Sequence, residues 1–231
     1  MRDFWYARAP WQKWLIGIVA AIILWPFLMT FVYAVVPPPF SNVMLERLPS
    51  GNGLQKQWMP LDRMSPWLVK AVVSSEDQRF CSHHGVDWVE FQDAIGNSVG
   101  AGEAPSRGAS TISMQTAKNL FLWDGHSVIR KVIELPLSYY MDFIWTKHRM
   151  LEVYLNIAEW APGVYGAEAA AQHHFGKSAS QLTKREAALL AAVLPNPIKR
   201  QAGKPSRGVN LVAARIQFRM AAINPYLTCI H

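Results

Sequence analysis

Cysteine is all but missing from this 231-residue chain: Cys81 and Cys229 stand alone, and no CxxC occurs. Two cysteines so placed make neither a disulfide scaffold nor a zinc site, and the spacing leaves open whether they meet. Charge is sparse as well. Only 17% of the residues carry one while 51% are hydrophobic, which excludes a disordered, self-solvating chain. Acidic residues are the scarcer sign, 16 against 23 Lys and Arg, giving a net charge of +7 and a pI near 9.5. Such a balance favours an anionic partner: nucleic acid, acidic lipid headgroups or a phosphorylated substrate. Alternating strand patterns are nearly absent and no internal repeat occurs. The chain is therefore expected to be mainly α, with room for one domain of ordinary size and an appendage.

No charged residue lies between Lys13 and Glu46. Within that gap, residues 15–36 form a run of 22 whose only strongly polar side chain is Thr30. As a helix it would measure about 33 Å, enough for a hydrocarbon core of roughly 30 Å. A buried core helix of that length would keep a polar face. Pro26 is tolerable inside such a span, with a kink. Arg2, Arg8 and Lys13 precede it against a single Asp3, so the N-terminus is expected on the cytoplasmic side. Trp11, Trp14 and Tyr33 fall where interfacial aromatics belong. The run exceeds a signal-peptide core of about 7–15 residues, and no small-x-small cleavage site follows, so it reads as an uncleaved signal anchor. The expected organisation is a cytoplasmic N-terminus (1–14), a transmembrane anchor (15–36), a linker or juxtamembrane segment (37–65) and an exported domain (66–231); the Pro/Gly/Asn-punctuated residues 40–62 read as linker or as short strands packing onto the domain. The N-terminal part carries +2, leaving +5 outside. Nucleic acid is thereby not expected as a partner.

Within the exported part, Ser65-Pro66 reads as a helix start, with Ser as N-cap and Pro in the first turn. Its apolar face (Leu68, Val69, Val72, Val73) leads to Glu76-Asp77. A second helix is expected near 87–99, then a glycine-rich mobile loop over 100–110. Ser110 or Thr111 can cap the next helix, which reaches about Phe121. Ser127 caps another through Trp145, bent by Pro136. Thr183 and Glu186 fit a capping box for a helix that Pro195 stops, and an amphipathic helix follows near 209–222.

Four segments concentrate reactive side chains. Glu76 and Asp77 end an apolar helix and lead into His83, Gly85 and Asp87; a solvated pair and a catalytic carboxylate fit equally. Ser110, Thr111, Ser113, Gln115, Lys118 and Asn119 follow a flexible loop at a helix N-terminus, where free N–H groups and the helix dipole suit phosphate, although ordinary capping also explains the hydroxyls. Arg130, Lys131 and Glu134 share one helical face, either as a surface ion-pair cluster or as an anion clamp whose Glu orients two cations. The stretch 147–156, with Gly163, Tyr165, Gly166 and 174–177 after it, suits sugar recognition or scaffold, and most of it reads as scaffold.

In this order the segments resemble the monofunctional biosynthetic peptidoglycan transglycosylases, glycosyltransferase family 51. The family's EDxxFxxHxGxD stands as EDQRFCSHHGVD (76–87), GxSTITQQxxKNLFL as GASTISMQTAKNLFL (108–122), RKxxE as RKVIE (130–134) and KxxxLExYLN as KHRMLEVYLN (147–156). Two later patterns carry the match to about residue 200. The resemblance implies a lysozyme-like all-helical domain that polymerises lipid II into β-1,4 glycan at the membrane. It implies Glu76 as general base, Glu134 as second essential carboxylate, and Lys118, Arg130 and Lys131 on the pyrophosphate, with Ser110, Thr111, Gln115 and Asn119 lining the donor site. The implied partners are lipid II, the growing strand, membrane lipid and cell-division or cell-wall synthesis proteins. The implied location is the inner membrane, with the catalytic domain periplasmic. A divalent cation (Mg or Mn) is compatible with a pyrophosphate site, but no acidic cluster of ligand spacing demands one.

Three departures stand out: Met114 replaces the first Gln of QQ, Pro136 follows the Glu134 turn, and His174 replaces a Tyr. Each puts a local contact in doubt without removing an acid or base. The rival readings are a membrane-bound lytic transglycosylase, which has no use for cations aimed at pyrophosphate, and an inactive anchored scaffold, against which both retained glutamates argue. No SxxK occurs, so a bifunctional penicillin-binding protein is not expected.

Overall fold

The computed structural model describes residues 9–93, 110–125 and 127–230. Two compact units divide between Val36 and Pro37. The first holds α1 (Pro10–Tyr33), whose apolar side chains are exposed on all sides, as those of a core helix would not be. Among the described residues it is the one helix long and apolar enough to cross a membrane, by length and composition. It begins five residues before the apolar run and ends at Tyr33, three residues short of that run's end. Pro10 opens the helix and the Gln12 side chain accepts the Ala9 N–H at 3.1 Å. Pro26 lies inside without ending it, and the Thr30 hydroxyl donates to the Pro26 carbonyl at 2.8 Å.

The second unit is helical, with one small sheet. Its helices are α2 (Asn42–Arg47), α3 (Pro66–Glu76), α4 (Ile112–Phe121), α5 (Val128–Ile144), α6 (Lys147–Ile157), α7 (Ala167–Phe175), α8 (Lys184–Val193) and α9 (Arg207–Met220). Helical turns also cover 88–93; the rest of the helix expected to 99, and nearly all of the loop expected over 100–110, lie outside the described residues. Strands β1 (Gln55–Lys56), β2 (Glu159–Ala161) and β3 (Val164–Tyr165) pair in the order β1-β3-β2. β1 runs parallel to β3 with Gln55 opposite Val164, and β2 runs antiparallel to it with Glu159 opposite Tyr165. Strands this short carry no alternation to read.

The stretch 37–65, which its prolines and glycines mark as linker, packs into this unit. Val43, Met44, Met59, Leu61 and Met64 are buried, and the Asn42 amide donates to the Phe121 carbonyl at 2.9 Å. Central helix α6 explains the attachment. All of its residues from Met150 to Ile157 are buried, including two polar ones that need partners. Asn156 accepts the Met59 N–H and donates to the Met59 carbonyl, both at 2.8 Å, and Glu152 accepts the Leu61 N–H at 2.9 Å. Polar side chains on a core helix thus hold the backbone of an apparent linker.

Helix starts follow local chemistry. Thr111, Ser127, Thr146, Thr183 and Ser206 each accept the N–H three residues on, about 1 kcal/mol apiece. Thr183 and Glu186 complete the expected capping box. Ser65 departs from expectation: its hydroxyl donates to the Leu182 carbonyl at 2.8 Å, a tertiary bond in place of a cap. Two helical layers result. α8 packs on α3 and α9, and α9 on α3, while α4 packs on α5 and α6. The C-terminal end of α3 bonds to the start of α4 through Glu76 and Gln115, and the first turn of α5 lines the same cleft.

Cys81 and Cys229 are joined by a disulfide, their Cα atoms 5.5 Å apart across 148 residues of sequence. It fastens the loop after Glu76 to the C-terminal segment. Closing so long a loop restricts the unfolded chain, and loss of such a bond costs typically 2–4 kcal/mol. Cys229→Ser in the full-length protein is expected to lower stability by about that much, measured as a shifted midpoint of urea unfolding.

Candidate active site

Glu76 ends α3, and Asp77 after it leaves the helix in an extended conformation. Asp77 is buried, with both oxygens engaged: they lie 2.9 and 3.1 Å from His83 Nε2, and Oδ2 accepts the Ile112 N–H at 3.0 Å. It therefore binds the loop of the first motif to the start of α4. Thr111 makes a second tie, donating to the Gly85 carbonyl at 2.5 Å while capping α4. Lys147 makes a third: it donates to the His83 carbonyl at 2.8 Å and to Asp142 at 2.6 Å, its ammonium 4.7 Å from the centre of the Phe80 ring. Gly85 is required here. Its φ is +74°, and a Cβ would lie 2.8 Å from the Ser138 carbonyl oxygen.

These ties leave Glu76 partly exposed on the floor of a cleft of about 940 Å³. Its Oε2 accepts from the Gln115 amide at 3.0 Å, and Ser75 Oγ lies 3.4 Å from Oε1. Removal from water pushes the Glu76 carboxyl above its ordinary range; the Gln115 and Ser75 contacts and distant Arg200 oppose that, while Asp77 reinforces it. The other end of the Gln115 amide accepts from the Tyr154 hydroxyl at 2.9 Å.

The cation side of the cleft is built around Glu134, which is 2% exposed. Arg130 donates to one of its oxygens and Lys131 to the other, the latter at 2.6 Å. Lys131 also donates to Ser110 Oγ at 2.9 Å, and Arg130 Nε to the Gly125 carbonyl at 3.1 Å. Lys118 stands 3.8 Å from Asp124. Desolvation lowers the Lys118 pKa and nearby Arg130 adds to that, while Asp124 and Glu134 oppose it. Among the described residues no group of three or more His, Cys, Asp or Glu is gathered as metal ligands. Positive charge for an anion would come from Lys and Arg.

Of the residues singled out in the sequence, Glu76, Asp77, Ser110, Gln115, Lys118, Arg130, Lys131 and Glu134 line this one cleft. Thr111 and Asn119 do not: Thr111 is buried in its capping role, and Asn119 lies elsewhere on α4. Met114 is fully buried, so the missing Gln at that position removes no contact from the cleft. Pro136 leaves α5 continuous and Glu134 paired. His174 bridges structure, with Nε2 3.2 Å from the Trp160 carbonyl and Nδ1 3.4 Å from the Gly203 N–H. Arg215 and Arg219 also line the cleft from α9, and Arg200 acts on Glu76 through space. Basic residues on an amphipathic surface helix give no sequence signal, which is why they were not singled out.

Residues 41–221 match the family model described as Transglycosylase. The chain is 50% identical to the biosynthetic peptidoglycan transglycosylase of Agrobacterium fabrum, covering 94% of this chain and 96% of the relative. It is 47% identical to the protein of that name in Rhizobium etli, covering 100% and 98%, and 45% identical to the one in Rhizobium meliloti, covering 100% and 96%.

The left-handed turn at Gly85 gives a direct check on how the cleft floor is held. Gly85→Ala is expected to cost about 2–3 kcal/mol, from backbone strain and the clash with Ser138. Its denaturant-unfolding midpoint should fall accordingly.

Proposed function

The chain belongs to the transglycosylase family, and from that footing we propose that it polymerises peptidoglycan glycan strands from lipid II at the inner membrane. The observation that carries this reading is the sharing of one cleft by an unpaired carboxylate, Glu76, and a fixed set of cations, Lys118, Arg130 and Lys131. Glycosyl transfer from a diphosphate needs both: a base for the attacking hydroxyl and positive charge for the departing anion.

In this mechanism Glu76 removes the proton from the 4-hydroxyl of lipid II. The freed oxygen attacks the anomeric carbon of the growing strand from the face opposite its diphosphate, and the α linkage becomes β. The bond to the undecaprenyl diphosphate breaks, and Lys118, Arg130 and Lys131 stabilise the charge that develops on it. Glu134 keeps Arg130 and Lys131 oriented. Desolvation makes the Glu76 carboxylate a stronger base than an exposed glutamate. Ser110, Thr111, Gln115 and Asn119 are the proposed donor-site residues; Ser110 and Gln115 line the cleft, and Thr111 caps α4.

The proposed organisation keeps residues 1–14 in the cytoplasm, 15–36 in the bilayer, 37–65 as the juxtamembrane segment and 66–231 as the periplasmic glycosyltransferase domain. Arg2, Arg8 and Lys13 favour that orientation. The Cys81–Cys229 disulfide supports it independently, because such bonds persist on the oxidising side of the membrane. Membrane lipid is the proposed neighbour of the outer face of α5, where Val128, Ile129, Val132 and Phe143 are exposed in a stripe. A lipid-linked substrate would then meet the cleft without leaving the bilayer surface.

Full-length protein in detergent is expected to convert labelled lipid II to long glycan, and Glu76→Gln to slow this by about 10²–10⁴-fold or more. Activity should rise as Glu76 loses its proton, so the acid limb of the pH profile should lie above the ordinary glutamate range. Arg130→Ala should lower the rate about 10²-fold, with no recovery on changing salt. Release of anhydro-sugars from finished sacculi, with no polymer from lipid II, would overturn the reading.

A further inference from the structure

We propose that Tyr154 is a positioning residue for Glu76, acting through the side-chain amide of Gln115, whose orientation it sets. The inference rests on Glu76 being the base. Tyr154 lies on central helix α6, Gln115 on α4 and Glu76 at the end of α3, each 39 residues from the next. The phenol is 1% exposed, and its hydroxyl donates to Gln115 Oε1 at 2.9 Å.

An amide held at its oxygen can present only its NH₂ group at the other end. That group meets Glu76 Oε2 at 3.0 Å. Were the amide to turn over, its oxygen would face a carboxylate oxygen, a repulsive contact, while its NH₂ would face the phenol. The phenol must donate for the arrangement to hold. Burial, with the charges of Glu76 and Asp77, keeps it protonated by raising its pKa well above the usual value.

The chain of bonds also selects which oxygen of Glu76 does the chemistry. Oε2 is occupied by Gln115, and among the described residues Oε1 has Ser75 Oγ beside it at 3.4 Å. The Ser75 hydroxyl has one proton and also lies 3.1 Å from the Val72 carbonyl, so its hold on Oε1 is weak. Oε1 is therefore the atom left to take a proton. A neutral amide serves this purpose better than a cation, because it fixes the carboxylate while withdrawing less of its basicity.

The test compares pH–rate profiles of lipid II polymerisation by full-length protein carrying Tyr154→Phe, Gln115→Leu, both, or Glu76→Gln. Tyr154→Phe should lower kcat about tenfold and move the acid limb upward by about one pH unit, because the carboxylate loses an oriented donor. KM for lipid II should stay within about twofold. Gln115→Leu should move the limb the same way, and the double variant should be no worse than Gln115→Leu alone. Thermal midpoints check that each variant is folded; Gln115→Leu tests the link by itself should Tyr154→Phe be unstable. An acid limb that stays at the wild-type pH in either folded single variant, or effects that multiply in the double, overturns the positioning role. An inactive Glu76→Gln alongside such a result leaves the base reading standing; an active Glu76→Gln overturns both.

Discussion

A cleft that must hold a base and a set of cations faces one governing constraint: the two must not neutralise each other. Glu76 paired to a lysine would lose the basicity it needs, and Arg130 paired to Glu76 would be unavailable to a diphosphate. The fold meets this with a second, buried carboxylate. Glu134 takes both Arg130 and Lys131, so their charges are oriented by an internal partner, leaving net positive charge toward the cleft. Glu76 receives a neutral amide. Two carboxylates that line one cleft thus have opposite surroundings, a neutral amide for one and two cations for the other, which is what the proposed mechanism asks of them.

Much of what surrounds them consists of polar residues whose partners are other protein groups. Asp77, Asn156, Glu152 and Lys147 are engaged by backbone amides and carbonyls and, in three cases, by the side chains of His83, Arg149 and Asp142. Their role is to hold irregular segments, the turn at 77–87 and the stretch at 59–61, against a helical core that offers those backbones no ladder. Such bonds contribute modestly each. Losing one partner leaves a buried group unpaired, which costs more. Motif residues here are mostly those that fix the turn directly after Glu76.

The helices were legible because their caps and apolar faces are local. Thr111, Ser127, Thr183 and the stripe from Leu68 to Val73 speak through their near neighbours in sequence. The pairing of the small sheet was not, since two- and three-residue strands carry no period, and residues 40–62 read equally as linker or as packed short strands because side chains that hold them lie about 100 positions later. The site was half legible. Glu76, Lys118 and the Arg130–Glu134 face follow from charge and spacing combined with the family resemblance. The part played by Gln115 did not, nor did the contribution of Tyr154, because an orienting bond between three helices leaves no trace in any one of them. Thr111 shows how local chemistry can serve two readings, since its hydroxyl caps α4 and also ties that helix to Gly85.

The disulfide bears on how the protein comes into being. In the orientation proposed above, the exported part crosses the membrane from its anchored end, so Cys81 arrives outside well before its partner, which stands 148 positions later. Until Cys229 appears, the loop beyond Glu76 has only non-covalent ties. Its final fastening is therefore an event of maturation, set by delivery of the last segment and by the oxidants waiting on the far side.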